Sequence, residues 1–162
     1  MTFEILDNVF DEKTIDTLYG HFRDFSKWSF TGEGNAGTHW RKFYQDLAKD
    51  DEIHSILFKK SEEIFSDKLP HLKDTHFLDR PYASGYVYGT HHEMHTDGNY
   101  PDHCYTVMFY LNKIWNMSYA GETIYTNPER TEIISSVIPK AGRVVLFNGF
   151  IPHCAREVSQ TC

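Results

Sequence analysis

The segment between residues 82 and 158 constrains the fold most, because it alternates short β-prone runs with turn residues. Gly, Pro, Asn and Asp fill the gaps between these runs, as antiparallel turns require, and no helical periodicity lies between them. Six short strands in this arrangement predict a mostly β fold of the jelly-roll type. The predicted strands are Tyr82–Tyr88, His103–Leu111, Gly121–Tyr125, Glu132–Ile138, Arg143–Phe147 and His153–Val158.

The first half of the chain has a different pattern, with apolar residues at helical spacing. Asp11 is placed to cap a helix, and a second helix is predicted from Asp50 or Asp51 to a point before Pro70. We expect both helices to pack on the outside of the sheet as supports. Their apolar positions are Ile15, Leu18, Phe22 and Phe25 in the first, and Ile53, Ile56, Leu57 and Ile64 in the second.

A glycine-rich stretch between the helices, Thr31–Gly37, has the spacing GxGxxG. A dinucleotide-binding site would need this motif between a strand and a helix in a βαβ unit. The residues that follow, Thr38–Phe43, are a poor helix start and no parallel alternation follows them. We therefore expect a loop near the mouth of the site instead.

Chain length, net charge and hydropathy bear on the number of domains, on nucleic-acid binding and on cellular location. At 162 residues we expect one domain over 1–162, in which residues 1–75 hold the helices and the loop and residues 76–162 hold the β core. With 16 Lys and Arg against 23 Asp and Glu, and no basic cluster, the sequence argues against nucleic-acid binding. No apolar run is long enough for a membrane span or a signal sequence, so we expect a cytoplasmic protein.

Two imidazoles and a carboxylate form the candidate site. On an extended strand, alternate side chains share a face, so His95 and Asp97 can point at one ion. His153, at the end of a later apolar strand, is placed to supply the second imidazole. Two His and one carboxylate with open positions form the facial triad of non-haem Fe(II) oxygenases. We predict His95, Asp97 and His153 as the metal ligands.

A zinc protease site is excluded by spacing, because its HExxH motif needs two histidines four residues apart on a helix. Here His92 and His95 are three apart, in a stretch with no helical stripe. His91 and His92 are either groups beside the metal or substrate, or exposed residues at a strand end. The sequence leaves both alternatives open.

Several ordered motifs in the second half resemble the prolyl-hydroxylase-like branch of the Fe(II)/2-oxoglutarate-dependent dioxygenases. The resemblance runs from about Pro81 to the C-terminus and implies a double-stranded β-helix that holds Fe(II) between two sheets. The motifs are Tyr86–Gly89, His95–Asp97, Met108–Trp115, Gly121–Thr123, Pro139–Phe147 and Ile151–Ser159.

The resemblance also implies the chemistry. In such enzymes 2-oxoglutarate is a co-substrate, succinate and CO2 are co-products, and ascorbate is a candidate accessory cofactor. Tyr110 matches the tyrosine that binds the distal carboxylate of 2-oxoglutarate. Tyr86 and Tyr88 are predicted to line the same cavity, and Thr106, which shares strand parity with Tyr110, is predicted as a further co-substrate residue. Because Asp97 fills the position that related halogenases leave to chloride, hydroxylation is expected. No catalytic residue is predicted beyond the metal ligands.

The sequence departs from the family pattern at one point. Relatives usually supply a basic residue about nine to fourteen positions after the second histidine, and here the ninth position is Cys162. The strand parity of Arg156 is opposite to that of His153, so Arg156 is expected to face away from the metal site. Arg143 is then the remaining candidate for the cation that pairs with the distal carboxylate of 2-oxoglutarate. We expect the chain to be a shortened form of a longer one that lacks the last strand, or a partner subunit to cover that edge.

Two functions from different classes remain open on the sequence alone. The first is hydroxylation of a small molecule, amino acid or peptide by Fe(II) and 2-oxoglutarate. The alternative is a cupin-like metal-binding protein without oxygenase activity, in which the same residues hold a divalent ion. A basic residue that reaches the metal cavity would favour the enzyme, and neither the substrate nor the oligomeric state follows from the sequence.

Overall fold

The computed structural model describes residues 2–31, 42–47, 51–72, 74, 76, 81–90, 92–98 and 104–162. Two α-helices and nine strands lie in these ranges, and neither helix is both long and apolar enough to cross a membrane. The helices are α1 (Glu12–Phe22) and α2 (Glu52–Lys68). The strands are β1 (Phe3–Leu6), β2 (Ser29–Thr31), β3 (Lys42–Asp46), β4 (Tyr82–Gly85), β5 (Tyr105–Tyr110), β6 (Thr123–Thr126), β7 (Ile133–Val137), β8 (Arg143–Asn148) and β9 (His153–Ala155).

Two antiparallel three-stranded sheets, in the orders β1-β8-β5 and β7-β6-β9, enclose the main core. Tyr110 and Phe147 from the first sheet meet Tyr125 and Val137 from the second, and all four side chains are buried. Alternate residues of β8 point to opposite faces, and its central residues are buried on both. The mostly β, jelly-roll architecture predicted from the strand pattern is confirmed.

Both predicted helices begin at the predicted capping residues. The Asp11 carboxylate accepts a hydrogen bond from the Thr14 amide at 2.7 Å, and Asp51 caps α2 in the same way. Ile64 of α2 packs against Val144 and Leu146 on the outer face of β8, so the helix supports the sheet that carries the site, as expected.

A third sheet, in the order β2-β3-β4, was not predicted except for β4. Lys42 and Gln45 of β3 are both buried, so this strand lacks the alternation of apolar and polar residues that marks a strand in a sequence. Strand β4 is also shorter than predicted and ends at Gly85. The glycine-rich residues 32–37 lie outside the described residues.

Candidate metal centre

Backbone pairing brings the two candidate imidazole ligands together. The His95 and His153 backbones exchange hydrogen bonds of 3.0 and 2.9 Å as an isolated antiparallel bridge. The Asp97 amide donates to the Gly149 carbonyl at 2.8 Å and continues the same pairing. His95 and Asp97 therefore share a face as predicted, although they lie in an extended segment with one bridge and not in a regular strand.

The candidate ligand atoms of His95, Asp97 and His153 lie within 4.8 Å of one another. His95 Nε2 is 3.4 Å from one Asp97 oxygen, and His153 Nε2 is 3.5 Å from the other. The structure thus brings all three predicted ligands to one point.

The hydrogen bonds on the far side of each ring fix the tautomer. His95 Nδ1 donates to the Glu93 carbonyl at 3.0 Å, and His153 Nδ1 donates to the Ile151 carbonyl at 2.9 Å. A carbonyl oxygen can only accept, so Nδ1 carries the hydrogen in each neutral ring and Nε2 keeps its lone pair. Each lone pair faces the Asp97 carboxylate, where a metal ion would be held.

The Asp97 carboxylate stays ionised in this setting. Burial by itself would raise its pKa, but the neighbouring His95 and His153 rings and the hydrogen bond from the Thr106 hydroxyl together hold the pKa at about 2. Burial lowers the pKa of His153. One anion and two neutral imidazoles is the donor set that a divalent first-row ion requires.

Thr106 lies behind the carboxylate, and its hydroxyl donates to Asp97 Oδ2. The sequence predicted Thr106 as a co-substrate residue, whereas in the structure its hydroxyl bonds to the candidate-ligand carboxylate of Asp97. Such a contact orients a ligand and is a common device around metal sites. Strand parity predicted the face of the sheet correctly but could not distinguish between these two roles.

Close packing also fixes the backbone beside Asp97. A Cβ atom added at Gly149 would lie 2.7 Å from the Cys104 sulfur and 3.3 Å from the Asp97 Cβ. A Cβ at Gly98 would lie 2.5 Å from the Cys104 Cβ. Glycine at both positions lets the segment of Asp97 and the turn before His153 approach this closely.

Tyr86 and His92 extend the site on the His95 side. The His92 ring is buried against the His95 ring, with 4.4 Å between centroids, and its Nδ1 is 3.2 Å from the Tyr86 hydroxyl. Burial first, then the neighbouring His95 and Lys42, lowers the pKa of His92 to about 3. His92 is therefore a neutral, buried group beside the candidate metal ligands and not an exposed strand-end residue. His91 lies outside the described residues.

Tyr110 lies deeper between the sheets, where its hydroxyl donates to Thr123 Oγ1 at 2.8 Å. The Tyr125 hydroxyl is also buried there and makes no hydrogen bond of ordinary geometry within the described residues, and burial first, then the nearby Tyr110, raises its pKa. Burial raises the pKa of Tyr110 and, more strongly, that of Tyr86, so both stay protonated donors. Thr123 is therefore a buried polar partner of Tyr110 that the sequence did not single out.

Arg143, the candidate cation for the co-substrate carboxylate, forms its hydrogen bonds with Asp7 and Ile138. Its Nε is 2.7 Å from one oxygen of Asp7, its Nη2 is 3.1 Å from the other, and Nη1 donates to the Ile138 carbonyl at 3.0 Å. A guanidinium held on three sides leaves Arg143 poorly placed to bind a co-substrate. Arg156 is mostly exposed beside Glu122, in agreement with its predicted parity.

The family resemblance implies that Trp115 and the segment 98–103 lie where substrate contacts are expected, although packing and turn roles are alternatives. The Trp115 indole donates to the Ala120 carbonyl at 3.0 Å and its ring packs against Gly121, so its contacts are structural. Residues 99–103 lie outside the described residues.

Comparisons with solved structures give the fold a known counterpart. A prolyl hydroxylase of Trichoplax adhaerens, in complex with a hypoxia-inducible-factor peptide fragment, superposes with a TM-score of 0.76 at 17% identity, over 96% of this chain and 77% of that one. A prolyl-4-hydroxylase of Pseudomonas putida gives 0.75 at 16% identity, over 96% and 85%. A viral collagen prolyl hydroxylase of Paramecium bursaria Chlorella virus-1, in its 2-oxoglutarate complex, gives 0.68 at 18% identity, over 98% and 90%.

Sequence comparison identifies the family. No curated protein matches the chain. A family model described as the 2OG-Fe(II) oxygenase superfamily matches residues 81–162, which hold all three candidate ligands and just over half of the chain. The chain therefore belongs to the 2OG-Fe(II) oxygenase superfamily, the dioxygenases that use Fe(II) and 2-oxoglutarate.

Proposed function

We propose that this protein hydroxylates a C–H bond of a small molecule, amino acid or peptide at an Fe(II) ion held by His95, Asp97 and His153. The observation that carries the proposal is the pair of imidazole Nε2 atoms, 3.4 and 3.5 Å from the two oxygens of Asp97. These residues would fill three positions of an octahedral ion and leave the others for co-substrate and dioxygen. The family match favours this function over a cupin-like metal-binding protein without oxygenase activity.

When bound, Fe(II) together with 2-oxoglutarate supplies the oxidation of the C–H bond, while the protein orients the reacting groups. In the balanced reaction, the substrate, 2-oxoglutarate and O2 give the hydroxylated substrate, succinate and CO2. The Glu93 and Ile151 carbonyls orient the two imidazoles, and Thr106 orients the carboxylate.

Asp97 decides between hydroxylation and halogenation. A halogenase needs a coordination position free for chloride, whereas the Asp97 carboxylate lies between both imidazoles. With this carboxylate as a ligand, chloride has no place on that side of the ion. The similar solved structures are prolyl hydroxylases, and this supports a peptide or amino-acid substrate.

Anaerobic titration of the protein with Fe(II), with and without 2-oxoglutarate, tests the proposal. The chelate should give a metal-to-ligand charge-transfer band, and admission of air should release succinate. Asp97→Ala should lose the band and most of the succinate. Asp16→Ala, which removes a surface carboxylate paired with Lys113, is the matched control and should keep both. Equal succinate release from Asp97→Ala and the unaltered protein would refute the role given to Asp97.

A further inference from the structure

The two candidate imidazole ligands lie in different surroundings. The His153 side chain is 4% exposed and packs against Phe147 and Tyr125, with 4.8 and 5.8 Å between ring centroids. Its ring is therefore held by the core between the two sheets. The His95 side chain is 13% exposed, and its ring packs against His92 in addition to His153.

The plane of a histidine ring is not fixed by its backbone. Rotation of an imidazole about the Cβ–Cγ bond has broad energy wells, whereas rotation between tetrahedral carbons has narrow ones. A ligand at a metal site must nevertheless be held within about 10 to 20° of the productive orientation. The hydrogen bond from His95 Nδ1 to the Glu93 carbonyl holds one atom of the ring. A contact with the ring itself is needed to set its plane as well.

His92 makes such a contact. It is 8% exposed, and its ring centroid lies 4.4 Å from that of His95, with 64° between the two ring planes. This edge-to-face arrangement is one that aromatic rings prefer. A buried ring in this position restricts how far the His95 imidazole can rotate.

Tyr86 in turn holds the His92 ring. The Tyr86 hydroxyl is 3.2 Å from His92 Nδ1, and the two ring centroids are 5.7 Å apart. A phenol hydroxyl can donate or accept, so this hydrogen bond forms with either neutral tautomer of His92. The contacts thus run in series from Tyr86 through His92 to His95. A phenylalanine at position 92 could fill the space but could not bond to Tyr86.

We propose that His92 is a positioning residue of the metal centre, whose ring, anchored by Tyr86, sets the plane of the His95 imidazole so that Nε2 points at the ion. The inference rests on the proposed function, because it requires His95 to bind a metal. It gives the pair of Tyr86 and His92 a role in metal binding although neither residue is a ligand. His92 acts through His95 and not on the substrate.

Titration with Co(II) in the absence of 2-oxoglutarate measures metal affinity without any co-substrate contact. His92→Ala removes the ring, and its Co(II) affinity should be roughly 10- to 100-fold weaker, the range known for residues that orient a ligand. His92→Phe keeps a ring against His95 and should recover part of this loss. Tyr86→Phe removes only the hydroxyl and should weaken binding less than His92→Ala does. His54→Ala, which removes a histidine ring packed against Phe58 of α2, is the matched control and should bind Co(II) like the unaltered protein.

Nuclear magnetic resonance of the Co(II)-loaded protein separates positioning from general support of the fold. Both liganding imidazoles keep a hydrogen on Nδ1, and paramagnetic Co(II) shifts these two signals away from the rest of the spectrum. His92→Ala should move the His95 signal and leave the His153 signal in place. Tyr86→Phe should add no further change when combined with His92→Phe, because the hydroxyl acts through the imidazole.

Co(II) affinity of His92→Ala within about threefold of the unaltered protein would overturn the inference, as would two unshifted signals. If melting temperature shows that His92→Ala does not fold, His92→Phe and Tyr86→Phe decide the question, and unchanged affinity and signals in both would overturn it. Failure of the unaltered protein to bind Co(II) would instead overturn the proposed function, so the two ideas fail separately.

Discussion

Replacement of Thr106 by Val tests how far a single hydroxyl positions the metal centre. The change keeps the size and branching of the side chain and removes the hydroxyl that donates to Asp97 Oδ2. A hydrogen bond to a charged group contributes about 1.5 to 3 kcal/mol. Because 23% of the Asp97 side chain is exposed and water replaces part of the contact, we expect the lower end of that range.

A loss of about 1.5 to 2 kcal/mol corresponds to metal affinity weaker by roughly 10- to 30-fold, within the range known for residues that orient a ligand. Anaerobic calorimetry with Fe(II), or with Co(II) followed by its absorption, measures this change. Thr123→Val removes a buried hydroxyl that pairs with Tyr110, and it should leave the metal affinity unchanged. Affinity within about threefold of the unaltered protein for Thr106→Val would show that the carboxylate is fixed by other contacts.

Two further predictions concern stability. The Arg143 and Lys140 hydrogen bonds hold the pKa of Asp7 well below its usual range, so this carboxylate stabilises the fold above the unfolded-state pKa and loses that contribution as pH falls below about 4. Since a third of Asp7 is exposed, urea unfolding should show Asp7→Asn less stable by about 1 kcal/mol near neutral pH, with the difference shrinking in acid; a constant difference at every pH would contradict this. Tyr125→Phe removes a buried hydroxyl without an ordinary hydrogen bond, so it should leave the free energy of unfolding unchanged or raise it by up to about 2 kcal/mol. A clear loss would reveal a strong bond between Tyr125 and Tyr110.

Features that depend only on neighbouring residues, namely helix starts and the shared face of His95 and Asp97, were predicted from the sequence. Asp11 and Asp51 mark helix starts because a short acidic side chain satisfies free amides there, and the structure contains both caps. The spacing of His95 and Asp97 predicted a shared face because alternation is a property of extended backbone itself. These inferences needed no knowledge of the rest of the chain.

Contacts between distant segments could not be predicted in this way. Asp7 and Arg143 are 136 residues apart, and no local sequence pattern indicates that the Asp7 carboxylate would pair with the Arg143 guanidinium. Strand β3 was missed because Lys42 and Gln45 are polar, and burial of polar groups depends on partners that only the assembled fold supplies. The hydrogen bond from Thr106 to Asp97 likewise depends on contacts that form only in the assembled fold.

The bridge between His95 and His153 bears on which ion the protein carries. Main-chain hydrogen bonds hold the two imidazole-bearing segments together, so the donors are already gathered. Such a site does not select among ions by folding around one of them, in contrast to domains that are unfolded without zinc. Two imidazoles and a carboxylate bind divalent ions more tightly along the series from Mn to Cu, so Fe(II) is not the ion that this geometry prefers by affinity. Occupancy is then governed by which ion the surroundings supply, and Co(II), Ni(II) or Zn(II) would displace iron from protein prepared in their presence.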